Sequence, residues 1–198
     1  MKDNQAIDRH LVKRVLEGDT YAFETIITCT QGLVIHIVYK MIENQQDRED
    51  LIQEIYLKAY HRLSSFKFKS QLSTWIGAIS YNTCINFLEK RKIPIVQMDG
   101  DEDNELGNLA DPNLTRFVAN ETDSHMLSKE RSQILQAEME KLSPLYKTLI
   151  TLFHKEELSY DEISKITGLP IGTLKSYLFR ARRVLRDNLL NRYNKEDL

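Results

Sequence analysis

The side chains of this chain that could do chemistry are cations and aromatic rings, and the densest group of cations lies between positions 170 and 192. This stretch carries six lysine or arginine residues and one aspartate, a local charge of plus five. Cations at that density on a helix suit the phosphates of a nucleic acid. The residues that could meet base edges are Thr173, Lys175, Ser176 and Phe179, and those that could bind backbone phosphates are Arg180 and Arg183.

Two short helices joined by a tight turn are predicted to position these cations. Ser159 and Glu162 have the spacing of a capping box at the start of the first helix. Gly168 can take the left-handed conformation that ends it, and Pro170 suits the first turn of the next helix. The apolar residues predicted to face inward are Ile163, Ile166, Leu174, Leu178, Ala181 and Leu185. The pattern predicts a helix-turn-helix, whose second helix enters a major groove. The alternative is a solvated basic helix in an ordinary bundle.

A second group of cations, between positions 60 and 92, is interleaved with aromatic rings. It contains six lysine or arginine residues and one glutamate. Single-stranded nucleic acid needs both kinds of residue, because cations hold its phosphates and flat apolar surfaces stack on its bases. Phe66 and Phe68 lie in a predicted loop and are the candidate stacking platforms. Trp75 shares a helical face with Ile76 and Ile79, so it is predicted to belong to the core.

An acidic amphipathic helix is predicted between positions 47 and 63, with Asp47, Asp50 and Glu54 on its polar face. A carboxylate metal site of a nuclease or phosphatase would need more ligands, and no histidine or second acidic cluster accompanies these carboxylates. A docking face for another protein and plain solvation of the helix are the two other interpretations, and the residues alone leave both open.

The net charge of the chain is only minus two, because acidic residues are concentrated between positions 93 and 125, where eight carboxylates accompany one arginine. That stretch lacks helical periodicity and is predicted to be a linker. Cys29 and Cys84 have neither metal-site nor disulfide spacing, which fits a reducing compartment. Neither a leader peptide nor an apolar run of membrane-spanning length is predicted. We therefore expect a soluble, cytoplasmic protein without a cofactor.

The other periodic segments are all helical. In the amino-terminal part, helices are predicted at positions 7–16, 21–28, 33–42, 47–63 and 72–91. In the carboxy-terminal part, helices at positions 126–141 and 144–154 precede the helix-turn-helix. The predicted fold is therefore all-α, with two small helical domains, 1–92 and 126–198, joined by the acidic linker 93–125.

The order of these segments resembles the extracytoplasmic-function (ECF) sigma factors, group 4 of the bacterial sigma-70 superfamily. The segments that resemble region 2 of that family are 47–60, Phe66 and 74–82. The segments that resemble its region 4 are 142–150, 158–163 and 168–182. The chain departs from many relatives at three places: Tyr177 stands where arginine is common, Phe68 where glycine is frequent, and Gly77-Ala78 where residues are bulkier.

The resemblance implies a transcription initiation factor without catalytic residues of its own, which binds core RNA polymerase. The residues it implies for polymerase binding are Asp47, Asp50, Leu51, Gln53, Glu54 and Tyr56. For capture of an extruded base of the minus-10 element it implies Phe66, Lys67, Phe68, Lys69, Ser70, Gln71 and Asn82. For the duplex minus-35 element it implies Lys175, Ser176, Phe179 and Arg180. It also implies an anti-sigma factor as a partner, often membrane-anchored in relatives.

A stand-alone helix-turn-helix regulator is the alternative function from a different class. Such a protein would bind duplex operator DNA unaided, with its amino-terminal helices sensing a ligand or dimerising. A metal-dependent nucleic-acid enzyme is a third hypothesis, which would require magnesium-dependent cleavage that is lost on changing Asp47 or Glu54.

Overall fold

The structure is a computed structural model that describes residues 2–95 and 125–192, here called the first and second halves. Within these ranges every regular element is helical, which confirms the predicted all-α class. The helices of the first half are α1 (Lys2–Leu16), α2 (Thr20–Met41), α3 (Gln45–Arg62) and α4 (Leu72–Lys90). Those of the second half are α5 (His125–Met139), α6 (Pro144–Ile150), α7 (Tyr160–Thr167) and α8 (Ile171–Arg192). The acidic segment predicted as a linker lies almost wholly outside the described residues.

Helix α2 lies at the centre of the first half and packs against α1, α3 and α4. The two helices predicted at positions 21–28 and 33–42 are one continuous helix, so the predicted break between them is wrong. The predicted break lay near Thr30 and Gly32, and α2 continues through both residues. Thr30 donates its hydroxyl to the Ile26 carbonyl, at 2.8 Å, and lies 3.2 Å from the Tyr56 hydroxyl. Gly32 faces open space.

The same helix corrects the expectation about apolar runs. With 22 residues, and a mean hydropathy of 1.3 over an 18-residue window, α2 is long and apolar enough to cross a membrane by length and composition alone. Its apolar residues are those of a core helix, because Ile26, Val34, Ile37 and Val38 are all buried among the other helices. The run therefore reflects the position of α2 in the bundle.

Local capping groups set the ends of α7 as predicted. The Ser159 hydroxyl accepts from the Glu162 amide at 3.3 Å, and the Ser159 amide donates to the Glu162 carboxylate at 3.0 Å, which confirms the capping box. Gly168 ends the helix with a φ of 73°. Leu174, Leu178 and Ala181 of α8 are fully buried behind the turn. The predicted helix-turn-helix is therefore present.

The two halves pack against each other through an apolar contact between α4 and α7. Gly77 leaves a notch on α4: a Cβ atom added there would lie 3.1 Å from Ile166 Cδ1 of α7 and 3.2 Å from Leu33 Cδ2 of α2. Tyr81, one turn further along α4, is also buried. Burial raises the pKa of Tyr81 to about 12, and Tyr177 of α8 adds to the effect.

Polar contacts between α2 and the second half surround this apolar contact. Lys40 forms an ion pair with Glu140, which also lies 3.6 Å from the buried Lys147. Burial acts to raise the pKa of Glu140, but the hydrogen bond and charge of Lys40 and the charge of Lys147 outweigh it, so the pKa lies below its ordinary value. His36 pairs with Glu156, and the Leu145 amide donates to the Ile95 carbonyl at 3.1 Å.

Candidate nucleic-acid and protein interfaces

The acidic helix α3 presents only part of the residue set that the sequence assigns to polymerase binding. Asp50, Gln53 and Glu54 are exposed. Leu51 and Tyr56 are buried, with 4% and 9% of their surfaces exposed, so their side chains belong to the core and not to the exposed face. Their place in the core follows from helical periodicity, because they fall on the apolar face with Ile55 and Ala59.

Two of the carboxylates on α3 have basic partners. Asp47 accepts two hydrogen bonds from the Arg91 guanidinium, at 2.8 and 2.9 Å. Glu54 pairs with Lys58 one turn later at 2.6 Å. Asp50 and Gln53 between them are exposed. The face is thus an acidic surface with basic edges, which suits a basic partner surface more than a divalent cation.

A shallow groove of about 250 Å³ separates α3 from α4 beside this face. The residues that line it include Leu51, Glu54, Lys58, Thr83, Asn86 and Phe87. Within the described parts of the chain, no three or more histidine, cysteine, aspartate or glutamate side chains come close enough together to hold a metal ion.

Three aromatic rings are in contact where the segment between α3 and α4 meets the first turn of α4. The Phe66 ring centroid lies 4.7 Å from that of Phe68 and 5.2 Å from that of Trp75. Phe66 is only 6% exposed, so the expectation of a solvent-exposed platform at this residue is corrected. It is buried because its ring packs against Phe68 and Trp75 just after the 3-10 turn Leu63–Ser65. Phe68 and Trp75 are half-buried, so they form the accessible part of the cluster.

The polar residues of the same segment differ in exposure. Lys67 and Lys69 are exposed, whereas Ser70 and Gln71 are half-buried. Asn82 is exposed on α4 and donates its side-chain amide to the Ala78 carbonyl at 2.8 Å. The segment therefore presents two exposed lysines beside the ring cluster, and Asn82 lies two to three turns further along α4.

Two residues of α1 also belong to this site, and sequence reasoning missed them. The Asp8 carboxylate accepts a hydrogen bond from the Leu72 amide at the start of α4, at 2.8 Å. The Arg9 guanidinium lies over the Phe68 ring, 5.2 Å from its centroid. Burial raises the pKa of Asp8, and the Leu72 amide partly offsets the rise. Because these contacts join residues about sixty positions apart, no local pattern could have indicated them.

The reading face of α8 is accessible. Lys175, Phe179, Arg180 and Arg183 are exposed, and Thr173 and Ser176 are half-buried. The Ser176 hydroxyl donates to the Gly172 carbonyl at 3.1 Å, which leaves its oxygen lone pairs for another donor. The Lys175 ammonium lies 5.5 Å from the Tyr160 ring centroid of α7. The helix-turn-helix thus brings all six sequence-predicted residues to one end of α8.

Arg182 of α8 contacts other side chains of the second half and is not part of the exposed basic surface. Its guanidinium lies 5.2 Å from the Phe153 ring centroid and 3.1 Å from His154 Nε2. Both partners lie in the π-helical turn Thr151–Lys155 that follows α6. Burial lowers the pKa of His154, and the Arg182 charge lowers it further, so the imidazole is neutral and accepts from the guanidinium. Arg182 therefore secures α8 to the end of α6.

Both halves match known protein families. Residues 26–93 match Sigma-70 region 2, and residues 132–185 match Sigma-70 region 4. The chain is 34% identical over 183 residues to the ECF RNA polymerase sigma-E factor of Escherichia coli (strain K12), across 91% of this chain and 93% of that protein. The chain belongs to the ECF RNA polymerase sigma factors. As a member of that family it is a transcription initiation factor of a non-enzymatic class.

Other ECF sigma factors are similar over nearly the whole length. The factor SigW of Bacillus subtilis (strain 168) is 31% identical over 180 residues, across 90% of this chain and 94% of that protein. Among solved structures, CnrH in complex with the cytosolic domain of CnrY covers 94% of this chain and 99% of its own, with a TM-score of 0.62 and 18% identity. RpoE of Bartonella quintana, solved with the anti-sigma factor NepR, covers 86% of this chain and 98% of its own, with a TM-score of 0.59 and 22% identity. These two structures support the fold.

Proposed function

We propose that this ECF sigma factor binds core RNA polymerase through α3, captures the unpaired minus-10 strand beside the ring cluster, and reads the minus-35 duplex with α8. The observation that carries the proposal is the presence of two different nucleic-acid surfaces on one chain. The ring cluster with Lys67 and Lys69 suits unstacked bases, whereas the exposed cations of a helix-turn-helix suit an intact duplex.

The polymerase-binding residues follow from the exposure of α3. Asp50, Gln53 and Glu54 form the contact surface, and Asp47 contributes at its edge, where Arg91 holds the carboxylate. Leu51 and Tyr56 act from beneath, since their side chains fix the rotation of α3 on the core. A partner with a basic surface is the complement of this face.

The minus-10 residues form one small site at the start of α4. Phe68 and Trp75 supply the accessible rings, Phe66 supports both from below, and Lys67 and Lys69 bind phosphates. The less exposed Ser70 and Gln71 and the exposed Asn82 supply hydrogen-bonding groups for the edge of an extruded base. Base capture of this kind offsets the cost of unstacking with a fitted pocket.

The minus-35 residues follow the usual geometry of a helix-turn-helix. Thr173, Lys175, Ser176 and Phe179 lie in the first turns of α8 and would meet base edges, while Arg180 and Arg183 would meet phosphates. The division into domains 1–92 and 126–198, with 93–125 as the linker, accompanies this assignment. We place the protein in the cytoplasm, with an anti-sigma factor as a further partner that covers the polymerase-binding surface. RpoE of Bartonella quintana, which shares the fold, was solved with an anti-sigma factor.

The test is reconstitution of the purified protein with core RNA polymerase, followed by transcription of genomic DNA fragments. Initiation at a limited set of sites is expected only when both components are present. The double variant Asp50→Arg plus Glu54→Arg should lose polymerase binding and keep its helical circular dichroism. A matched control, Glu17→Arg plus Glu24→Arg, makes the same charge change at two exposed residues, one in the turn after α1 and one in α2, and should bind normally.

The proposal would be overturned if the chain behaved as a stand-alone helix-turn-helix regulator. Such a protein would bind particular duplex operators tightly without polymerase, and the Asp50→Arg plus Glu54→Arg variant would bind them as well as the parent chain. A further assay measures opening of a promoter by Asn82→Ala, which should be slower than opening by the parent chain. Unchanged opening would contradict the assignment of Asn82.

A further inference from the structure

Helix α4 begins without a capping group of its own. Gln71 occupies its N-cap position, and its side chain makes no capping hydrogen bond. The first amides of a helix need acceptors, and the positive end of its dipole favours a negative charge. Asp8 of α1 meets both needs from a position 64 residues away in sequence, because its carboxylate accepts from the Leu72 amide at 2.8 Å. The start of α4 is therefore fixed by α1.

The segment just before α4 is strained at a ring of the proposed minus-10 site. Phe68 has a φ of 55°, a left-handed conformation that non-glycine residues rarely adopt. Such a conformation persists only where the surroundings over-determine it. Phe66 contacts the Phe68 ring within the segment, and Arg9 of α1 covers the ring with its guanidinium. The distance of 5.2 Å from the Arg9 Cζ atom to the ring centroid lies within the range of a cation–π contact.

We propose that Asp8 and Arg9 of α1 are positioning residues of the minus-10 site, with Asp8 setting the start of α4 and Arg9 holding Phe68 in its strained conformation. This inference rests on the proposed function of the 66–71 segment. Consecutive residues of one helix thus contact the middle of the segment, at Phe68, and the helix start that follows it, at Leu72. Among residues 6–16 of α1, whose side chains the structure describes, no other residue makes a hydrogen bond or ring contact with this segment or with the start of α4.

The chemistry of Arg9 adds a second effect. Arg9 is exposed, and Lys67 and Lys69 on the neighbouring segment are exposed as well. A guanidinium that lies on an aromatic ring remains charged, so it raises the local positive potential for the phosphates of the strand. The ligand class is single-stranded nucleic acid, because the residues that Arg9 accompanies are those of the proposed minus-10 site and not those of α8.

The experiment uses holoenzyme reconstituted from core polymerase and the full chain. The probe is a fork-junction DNA that carries the unpaired minus-10 strand of a promoter transcribed by the parent holoenzyme. Three quantities are measured for each variant: the amount of holoenzyme formed, the affinity for the fork, and the affinity for the upstream duplex alone. The variants are Arg9→Ala, Arg9→Lys, Asp8→Ala and Asp8→Asn.

Arg9→Ala is expected to weaken binding to the fork about two- to fivefold, the range that an exposed cation–π contact gives. Arg9→Lys and Asp8→Asn should restore most of the binding lost in the alanine variants, because lysine keeps a cation and asparagine keeps an acceptor oxygen. Holoenzyme formation and duplex affinity should not change. Lys13→Ala and Glu17→Ala are the matched controls, since each removes a charge from the exposed ion pair that joins α1 to the turn after it. They should leave fork binding unchanged.

A double-substitution cycle with Phe68→Leu separates positioning from a general effect. If Arg9 acts through the Phe68 ring, Arg9→Ala should weaken fork binding less in the Phe68→Leu protein than in the parent chain, because only the contribution of its charge remains to be lost. Additive effects, equal losses in Arg9→Ala and Lys13→Ala, or a parallel loss of duplex affinity would each overturn the inference. These results differ from failure of the proposed function, in which the parent chain itself would form no holoenzyme and start no transcription.

Discussion

Replacement of Gly77 by alanine tests the packing of the two halves, because Gly77 of α4 receives Ile166 of α7. The added Cβ atom would lie 3.1 Å from Ile166 Cδ1 and 3.2 Å from Leu33 Cδ2, closer than ordinary contacts between carbon atoms. The matched control is Gly32→Ala in α2, where the added Cβ atom meets nothing within 4 Å. Both glycines lie inside long helices, so both substitutions gain the same helix propensity.

The magnitude follows from two opposing effects. Alanine in a helix interior is favoured over glycine by about 1 kcal/mol, so Gly32→Ala should raise the free energy of unfolding by about that amount. At Gly77 the same gain is opposed by overpacking, which costs about 1 to 3 kcal/mol in a well-packed core. Gly77→Ala should therefore be neutral or destabilising by up to about 2 kcal/mol. The two variants should differ by about 1 to 3 kcal/mol.

The assay is urea unfolding followed by circular dichroism, with the radius of gyration measured by small-angle X-ray scattering. Ile166→Val removes the Cδ1 atom that the new methyl group would meet, so it should cost less in the Gly77→Ala protein than in the parent chain. Gly77→Leu, which cannot fit the notch, should increase the radius of gyration. If Gly77→Ala stabilises the protein as much as Gly32→Ala does, Ile166 does not pack against α4 and the reasoning is refuted.

Three further predictions concern ionisable groups and thiols. The pKa of His154 is lowered in the folded chain, so the unfolded chain binds more protons below the ordinary pKa of 6.5, and stability should fall as the pH is lowered from 7.5 to 5.5. Urea unfolding at pH 7.5 and at pH 5.5 should show a smaller decrease in the free energy of unfolding for His154→Gln than for the parent chain. Glu140→Gln should lower the free energy of unfolding at pH 7 by about 0.5 to 1 kcal/mol, because the partly exposed carboxylate loses its charge pairing with Lys40 and Lys147. An unchanged free energy of unfolding for Glu140→Gln would show that the ion pairs of Glu140 do not stabilise the fold. A thiol reagent should modify one cysteine in the native protein, the exposed Cys29, because burial removes access to Cys84 and raises its pKa to about 12; modification of two cysteines without denaturant would contradict the burial of Cys84.

Local signals in the sequence predicted the helix-turn-helix well. The capping box at Ser159, the left-handed Gly168 and the buried Leu174 and Leu178 all depend on residues within a few positions of one another. Propensity and periodicity describe such short-range physics directly. The same local reasoning placed a break inside α2, because Thr30 and Gly32 favour turns in isolation. The helix persists since its neighbours bury the apolar residues on both sides of that position.

The candidate minus-10 site was only partly predictable, because its geometry depends on contacts between distant segments. The sequence indicated Phe66, Phe68 and the two lysines, but it placed Phe66 in solvent and Trp75 in the core. The structure buries Phe66 against Phe68 and leaves Trp75 half-buried. The exposure of a ring in a short connection depends on how that connection folds back over the next helix. Asp8 and Arg9 could not be found in advance, since neither carries a local signal that points to α4.

The arrangement of the halves has a consequence for the proposed recognition of two promoter elements. The centres of those elements lie about 25 base pairs apart, or about 85 Å at 3.4 Å per base pair. Helix α8, with 22 residues, is only about 33 Å long, and α7 beside it is in direct contact with α4. Simultaneous binding of both elements therefore requires the contact between Gly77 and Ile166 to break. The 30 peptide units from Ile95 to His125 can span at most about 100 Å, which is sufficient for that separation. Substitutions that weaken the contact, such as Gly77→Leu, should thus leave recognition of the two elements intact while lowering the free energy needed to separate the halves.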